Sequence, residues 1–331
     1  MSNAPVTARP SGLVTIDEIR EAARGLDGVA ERTPLLPAEP LRQCAGGAAV
    51  YLKLENRQPT GAFKLRGAWT AIRRLPDAAR RRGVITYSSG NHGQAVAFAA
   101  RRIGIRAVIV MPENAPEAKV RGVRRWGGEV MFAGTTSEDR KTHAEELVAE
   151  QHLVVIPPFD HPDIIAGQGT VGLEIVEAVP EVRHVAVPVG GGGLIAGVTT
   201  ALAALAPGAA VVGVEPDGAP ALREALAHDR PVRLAETHSI ADGLLPLSVG
   251  SLTFAHVRGR VRAVTVSDRA IAEAVLFMRD TLGLLVEPSG AATTAALRSG
   301  AFVPTGPTVL VVSGGNVDPS RVDALMAQAA G

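Results

Sequence analysis

The sequence predicts an α/β protein with mainly parallel sheets flanked by helices, and three observations carry that prediction. From residue 49 onward, short Val/Ile/Leu-rich runs alternate with segments of helical periodicity. Apolar strands joined by helices pair in parallel, which lets the helices cover both faces of the sheet. The length, 331 residues with 46% hydrophobic and 20% charged residues, exceeds that of one ordinary core, so two lobes with a cleft between them are expected.

Along the chain, residues 1–12 read as a loose tail, after which Thr15 and Glu18 carry the signature of a capping box opening the helix TIDEIREAARGL. The strand runs AVYLKLEN (49–56), VITYSS, IRAVIVM, EVMFAG and LVVIP follow. They are separated by the helical patterns NHGQAVAFAARRIG, PEAKVRGVRRWG and TSEDRKTHAEELVAEQH. The proline-interrupted stretch PPFDHP (157–162) is where the chain would cross between lobes, and the rhythm resumes in HVAVPVG, AAVVGVEP and TVLVVSGGN. No internal repeat or low-complexity tract interrupts it.

Composition narrows the function classes. The net charge is +1 and the basic residues are scattered, which gives no case for nucleic acid and points to a small substrate. The single cysteine, Cys44, excludes an internal disulfide and any multi-thiolate metal site and fits a reducing compartment. No apolar run is long enough for a bilayer, and MSNAPVTARPSG lacks the blocks of a signal peptide, so a cytoplasmic protein is expected.

Only four of the 34 basic residues are lysines, which leaves few candidates for an amine nucleophile. Lys53 alternates with Val50, Leu52 and Leu54 on a strand, and Lys119 and Lys141 lie in polar helical stretches, so all three are expected in solvent. Lys64 differs. It follows the turn-forming QPTGAF and opens the helix KLRGAWTAIRRL, where helix-end N–H groups and apolar Ala62 and Phe63 disfavour the ammonium and favour imine chemistry. Taken alone, a surface lysine is the simpler account.

Three glycine-rich turns accompany it. Ser88-Ser89-Gly90-Asn91-His92-Gly93 lies between a strand and a helix and gathers donors for an anion such as a carboxylate, although a helix cap would explain all of it but His92. Gly190, Gly191, Gly192 and Gly193 lie between HVAVPV and the helix LIAGVTTALAAL, where bare backbone can wrap a phosphate. The same stretch contains Gly191, Gly193 and Ala196 followed by a strand and Glu215, which imitates a dinucleotide fingerprint and keeps an NAD-dependent dehydrogenase in contention, as well as a non-catalytic phosphate-binding module. A Walker-type loop is excluded because no Lys-Ser/Thr follows the glycines. Ser313-Gly314-Gly315-Asn316 ends the strand TVLVV, at the edge where parallel sheets bind ligands, and is also an ordinary strand-ending turn.

In their order, QPTGAFKLRGA, SSGNHGQAVA, FDHPDIIAGQGT, PVGGGGLIAG, IADG, VEPSGA and VVSGGN resemble the serine/threonine dehydratase group of fold-type II pyridoxal-phosphate enzymes, over about residues 15 to 320. The resemblance implies a two-lobed architecture, with a discontinuous large cofactor domain (1–75 and 157–331) and a small substrate-loop domain (80–150). It makes Lys64 the Schiff-base lysine, with Phe63 near the ring, Asn91 on the 3-oxygen, Gly190 to Gly193 and the Leu194 N–H on the phosphate, and Ser313 at the pyridine nitrogen. Ser88, Ser89, Asn91 and His92 would bind the substrate. The reaction implied is dehydration and deamination of a small β-hydroxy amino acid, L-threonine to 2-oxobutyrate or L-serine to pyruvate, with Lys64 taking the α-proton.

Alternatives on the same scaffold are a serine or hydroxyaspartate racemase, in which Ser89 would act opposite the lysine, and a hydroxyaspartate dehydratase. Phe159 in FDHPD is closer to dehydratases. The sequence departs from its relatives at Ala62, often serine, and at Ala221, often aspartate where a metal binds, which leaves Glu215 and the Ala219 carbonyl as a thin cation site. A homodimer is the assembly implied, and with so little chain after SGGN an appended regulatory domain is not expected.

Overall fold

The computed structural model describes residues 12–88, 90–115, 117–135 and 137–325; the expected N-terminal tail and Ser89 lie outside them, apart from Gly12. Helix α1 (Ile16–Leu26) starts in the predicted way, the Thr15 hydroxyl accepting the Glu18 N–H while the Glu18 carboxylate accepts the Thr15 N–H. Strands β1 (Leu35–Pro37) and β2 (Val50–Leu54) follow, then α2 (Lys64–Arg73) and α3 (Asp77–Arg82). The next stretch runs β3 (Val84–Tyr87), α4 (Asn91–Ile103), β4 (Ala107–Met111), α5 (Glu117–Arg125), β5 (Glu129–Phe132), α6 (Ser137–Gln151) and β6 (Val154–Val155). It continues through α7 (Pro162–Ala178), β7 (His184–Pro188), α8 (Gly193–Leu205), β8 (Ala210–Pro216), α9 (Ala221–Ala227) and α10 (Ser251–Val257). The described chain closes with β9 (Val261–Val266), α11 (Asp268–Leu282), α12 (Pro288–Arg298) and β10 (Thr308–Val312).

Two sheets result. Four strands pair in the order β5-β4-β3-β6, all parallel. Six pair in the order β1-β2-β10-β7-β8-β9, parallel except for the edge pair β1–β2. The chain is therefore α/β with mainly parallel sheets flanked by helices. Every strand run read from the sequence is present, and β1 and β9 are additions. Both are edge strands, β1 being three residues long and β9 only partly buried, so neither shows the apolar run that marks a strand covered on both faces.

Helices α2, α7 and α8 touch along glycines. A Cβ on Gly197 would lie 2.4 Å from the Gly169 nitrogen, and one on Gly167 would lie 2.5 Å from the Arg66 carbonyl oxygen. Side chains there would drive the helices apart. This close packing brings the N-terminal ends of α2, α7 and α8 to one place, the segment 158–160.

The prediction for Lys53 is corrected. Lys53 is fully buried on β2, its amine donating to the Thr33 carbonyl and to Glu174, with Glu55 3.9 Å away. β2 lies inside the sheet, so alternation along it does not lead to water. Arg66 completes the cluster, donating to Glu55 at 2.8 Å and to Glu174 at 2.6 Å. Burial lowers the Lys53 amine, and by itself would raise Glu55 and lower Arg66; the ion pairs reverse it for those two, leaving Glu55 below and Arg66 above their usual ranges. Lys119 and Lys141 are half-buried rather than simply solvated, Lys119 pairing with Asp242 and Lys141 with Glu145. Cys44 is an exposed free thiol on a short 3₁₀ turn. No helix among the described residues is long and apolar enough to cross a membrane.

Candidate functional site

The loop before α2 is laced to the end of β10. Phe63 N–H donates to the Ser313 carbonyl at 3.0 Å, Gly315 N–H donates to the Gly61 carbonyl at 2.9 Å, and Ala62 and Gly314 form an isolated antiparallel bridge. Lys64 is thereby set at the carboxyl edge of the six-stranded sheet as the first residue of α2. Its amine donates to the Pro158 carbonyl at 2.8 Å and lies 5.2 Å from the Phe63 ring centre. Burial of the amine, with no carboxylate to offset it, lowers it to about 8. The residue as a whole keeps partial access to solvent, as a reacting lysine requires.

Asn91 and His92 open α4. The Ser88 hydroxyl accepts the Gly90 N–H at 3.3 Å, and first-turn N–H groups, including those of Asn91 and His92, have no partner within a helix. The His92 ring itself is buried and its Nε2 donates to the Ile156 carbonyl at 3.0 Å. Burial, followed by the charge of Lys64, lowers it to about 3, so the imidazole is neutral, and what His92 offers to an anion is its backbone N–H.

The glycine loop follows β7. Gly192 has a φ of +93°, and a Cβ on Gly191 would lie 2.1 Å from the Phe159 ring. The loop is held from behind: the Thr253 hydroxyl and the Gly250 N–H both bond the Gly191 carbonyl, and the Asp160 carboxylate accepts the N–H groups of Ser251, Leu252 and Thr253. The N–H groups of Gly193 and Leu194 at the start of α8 point out of the helix end, an anion-binding arrangement. Gly191→Ala is expected to push Phe159 aside and to weaken binding of a phosphate-bearing cofactor by about tenfold or more. Titration of the purified variant against wild type measures it, and an unchanged affinity would dissociate the loop from phosphate.

Ser313 is buried at the end of β10, its hydroxyl directed at the Ser289 carbonyl at 3.3 Å. The residue that motif reading missed is Glu287, in VEPSGA, at the N-cap of α12. Its carboxylate accepts Asn91 Nδ2–H at 2.7 Å, and burial, with Asp242 second, raises it to about 7 against the opposing effects of Asn91, Lys119 and the Asn316 N–H. An acid directly after the apolar run LGLLV and before Pro-Ser-Gly was the available signal.

Glu215, the expected cation ligand, lies buried at the end of β8. Its carboxylate accepts the Leu222 N–H at 2.6 Å and the Arg223 N–H at 2.9 Å, so both oxygens bind the start of α9. Among the described residues no group of three or more His, Cys, Asp or Glu gathers as a metal site. The same two bonds remove the acid that a dinucleotide ribose would need.

The family model described as pyridoxal-phosphate dependent enzyme matches residues 26–314. The chain is 39% identical over 315 residues to an L-threonine ammonia-lyase of Thermotoga maritima, covering 95% of this chain and 78% of that one. It is 37% identical over 316 residues to an L-threo-3-hydroxyaspartate ammonia-lyase of a Pseudomonas species, covering 95% and 99%. Among solved structures, maize serine racemase superposes with a TM-score of 0.90 at 37% identity, covering 96% of this chain and 98% of that one.

Proposed function

The chain belongs to the pyridoxal-phosphate dependent enzyme family, and from that premise we propose that it dehydrates and deaminates a small β-hydroxy amino acid, L-threonine to 2-oxobutyrate and ammonia or L-serine to pyruvate and ammonia. The observation that carries the reading is the Lys64 amine, lowered to about 8 at the same sheet edge as the glycine loop.

The residues fit the cofactor. Gly190 to Gly193, with no room for a side chain at Gly191 and a positive φ at Gly192, and the Leu194 N–H would hold its phosphate; Lys64, Phe63, Asn91 and Ser313 would hold the ring. When bound, pyridoxal phosphate supplies a carbonyl for an amine and a conjugated ring that accepts charge developing at the substrate α-carbon. Lys64 Nζ, lowered by burial to about 8, is suited to move the proton at that carbon. The N–H groups opening α4, with Ser88, orient the substrate carboxylate; a role for Ser89 is part of the same reading. The segment 80–150, which carries β3, β4 and β5 of the four-stranded sheet, acts as the substrate-loop lobe, with 1–75 and 157–331 as the cofactor lobe, and the assembly is a homodimer.

The test is the absorption spectrum of the purified protein with L-threonine added and 2-oxobutyrate followed. A visible band and steady keto-acid release are expected; a band with no keto acid from L-threonine, L-serine or 3-hydroxyaspartate contradicts the lyase. The likeness to serine racemase favours racemisation as a second reading, and D-serine appearing in place of pyruvate would select it.

A further inference from the structure

Glu287 is a buried carboxylate whose hydrogen-bond partners are amides, in contrast to Glu55 and Glu174, which are paired with Arg66 and Lys53. It ends a chain of hydrogen bonds drawn from four segments. Asn316 Nδ2 donates to the Thr60 carbonyl at 2.8 Å and to Asn91 Oδ1 at 2.7 Å, and Asn91 Nδ2 donates to Glu287 Oε1 at 2.7 Å. Space is kept for this chain. A Cβ on Gly314 would lie 2.4 Å from Glu287 Oε1 and 3.1 Å from Asn91 Nδ2, and one on Gly61 would lie 2.2 Å from Asn316 Oδ1. The glycines of two motifs are thus accounted for by the amides and the acid they admit.

A side-chain amide can sit either way round unless its neighbours choose for it. Here both ends of the chain are acceptors. The Thr60 carbonyl requires Asn316 to present Nδ2, which sets Asn91 Oδ1 towards Asn316, and an ionised Glu287 requires Asn91 to present Nδ2. One N–H of Asn91 Nδ2 remains for a third partner. We propose that Glu287 is a positioning residue that acts through Asn91, fixing the orientation in which the Asn91 amide donates to the cofactor; this rests on reading the site as a pyridoxal-phosphate site.

The charged and titratable groups facing Glu287 are Asp242, on the turn after α9, and Lys119, on α5, which pair with each other. Burial, then Asp242, raises Glu287 to about 7 while Asn91, Lys119 and the Asn316 N–H oppose the rise, so it loses or gains its charge in the neutral range. For an acid raised in the folded state, the stability it contributes is present below its unfolded value of 4.5 and is lost as pH rises through about 7. The positioning role has the opposite pH dependence, because the ionised form is the stronger acceptor.

The experiment measures pyridoxal-phosphate affinity and the position of its visible band for wild type, Glu287→Ala, Asn91→Ala, the double variant and Glu287→Gln, from about pH 6 to about pH 9. Glu287→Ala is expected to weaken binding about tenfold or more, and to add nothing in the Asn91→Ala background. Glu287→Gln keeps an acceptor and holds affinity within about threefold, but loses the wild-type response of the band across about pH 7. Equal losses from Glu287→Ala in both backgrounds, or a band response unchanged in Glu287→Gln, would overturn the proposal. A wild type that binds no pyridoxal phosphate overturns the site reading itself, before any variant is compared.

Discussion

Lys64→Ala is expected to yield a folded protein that shows no visible cofactor band and has lost about 10³- to 10⁴-fold in kcat/KM for L-threonine. The variant should fold because Lys64 contributes little to stability: among the described residues its amine makes one hydrogen bond, to the Pro158 carbonyl, and no ion pair. The loss should be large because Lys53 is buried in a separate ion cluster, Lys119 is held by Asp242 and Lys141 pairs with Glu145 on α6, so none of the other three is free to replace the Lys64 amine. Lys64→Arg should be equally inactive, since a guanidinium does not give up its proton near neutral pH. Steady-state kinetics with a matched circular-dichroism spectrum measures both; residual activity within about tenfold of wild type would remove Lys64 from the chemistry.

Arg66→Met is expected to cost about 3–5 kcal/mol of unfolding free energy. The methionine fills much of the space but leaves Glu55 and Glu174 with Lys53 as their one remaining buried cation, and Arg66 bonds both carboxylates. The energetic reason is that a buried charge stripped of its partner keeps its desolvation penalty and loses the attraction that offset it. Because Arg66 lies on α2 two residues after Lys64, the same change should loosen the helix that carries the reacting amine. Urea unfolding of wild type and variant reads the difference, and a loss below about 1 kcal/mol would show that the cluster relaxes around the gap.

The strands were legible where both faces are covered, since continuous apolar runs such as AVIVM and TVLVV have few other uses. β1 and β9 escaped because edge strands need no such run. The four site segments were legible as turns, and parallel pairing gathers those before α2, after β7 and after β10 at one edge of the six-stranded sheet; the fourth follows β3 of the other sheet, and nothing in the sequence says that it meets them. Lys53 was misread because alternation along a strand says which residues share a face, not whether that face meets water. Glu287 was passed over because its importance lies in a contact with Asn91, 196 residues away in sequence, and no local pattern contains that distance. What Glu215 binds was hidden for a similar reason: an acid at a strand end looks free until the helix start it accepts from is in place.

The central claim, that Lys64 is the residue that carries pyridoxal phosphate, is tested most directly by borohydride reduction of the purified enzyme followed by peptide mass mapping. The protein has four lysines, in separable parts of the chain. A pyridoxyl-phosphate adduct on the peptide containing Lys64 alone is the predicted result; an adduct on Lys53, Lys119 or Lys141 instead, or none from protein saturated with the cofactor, would contradict it.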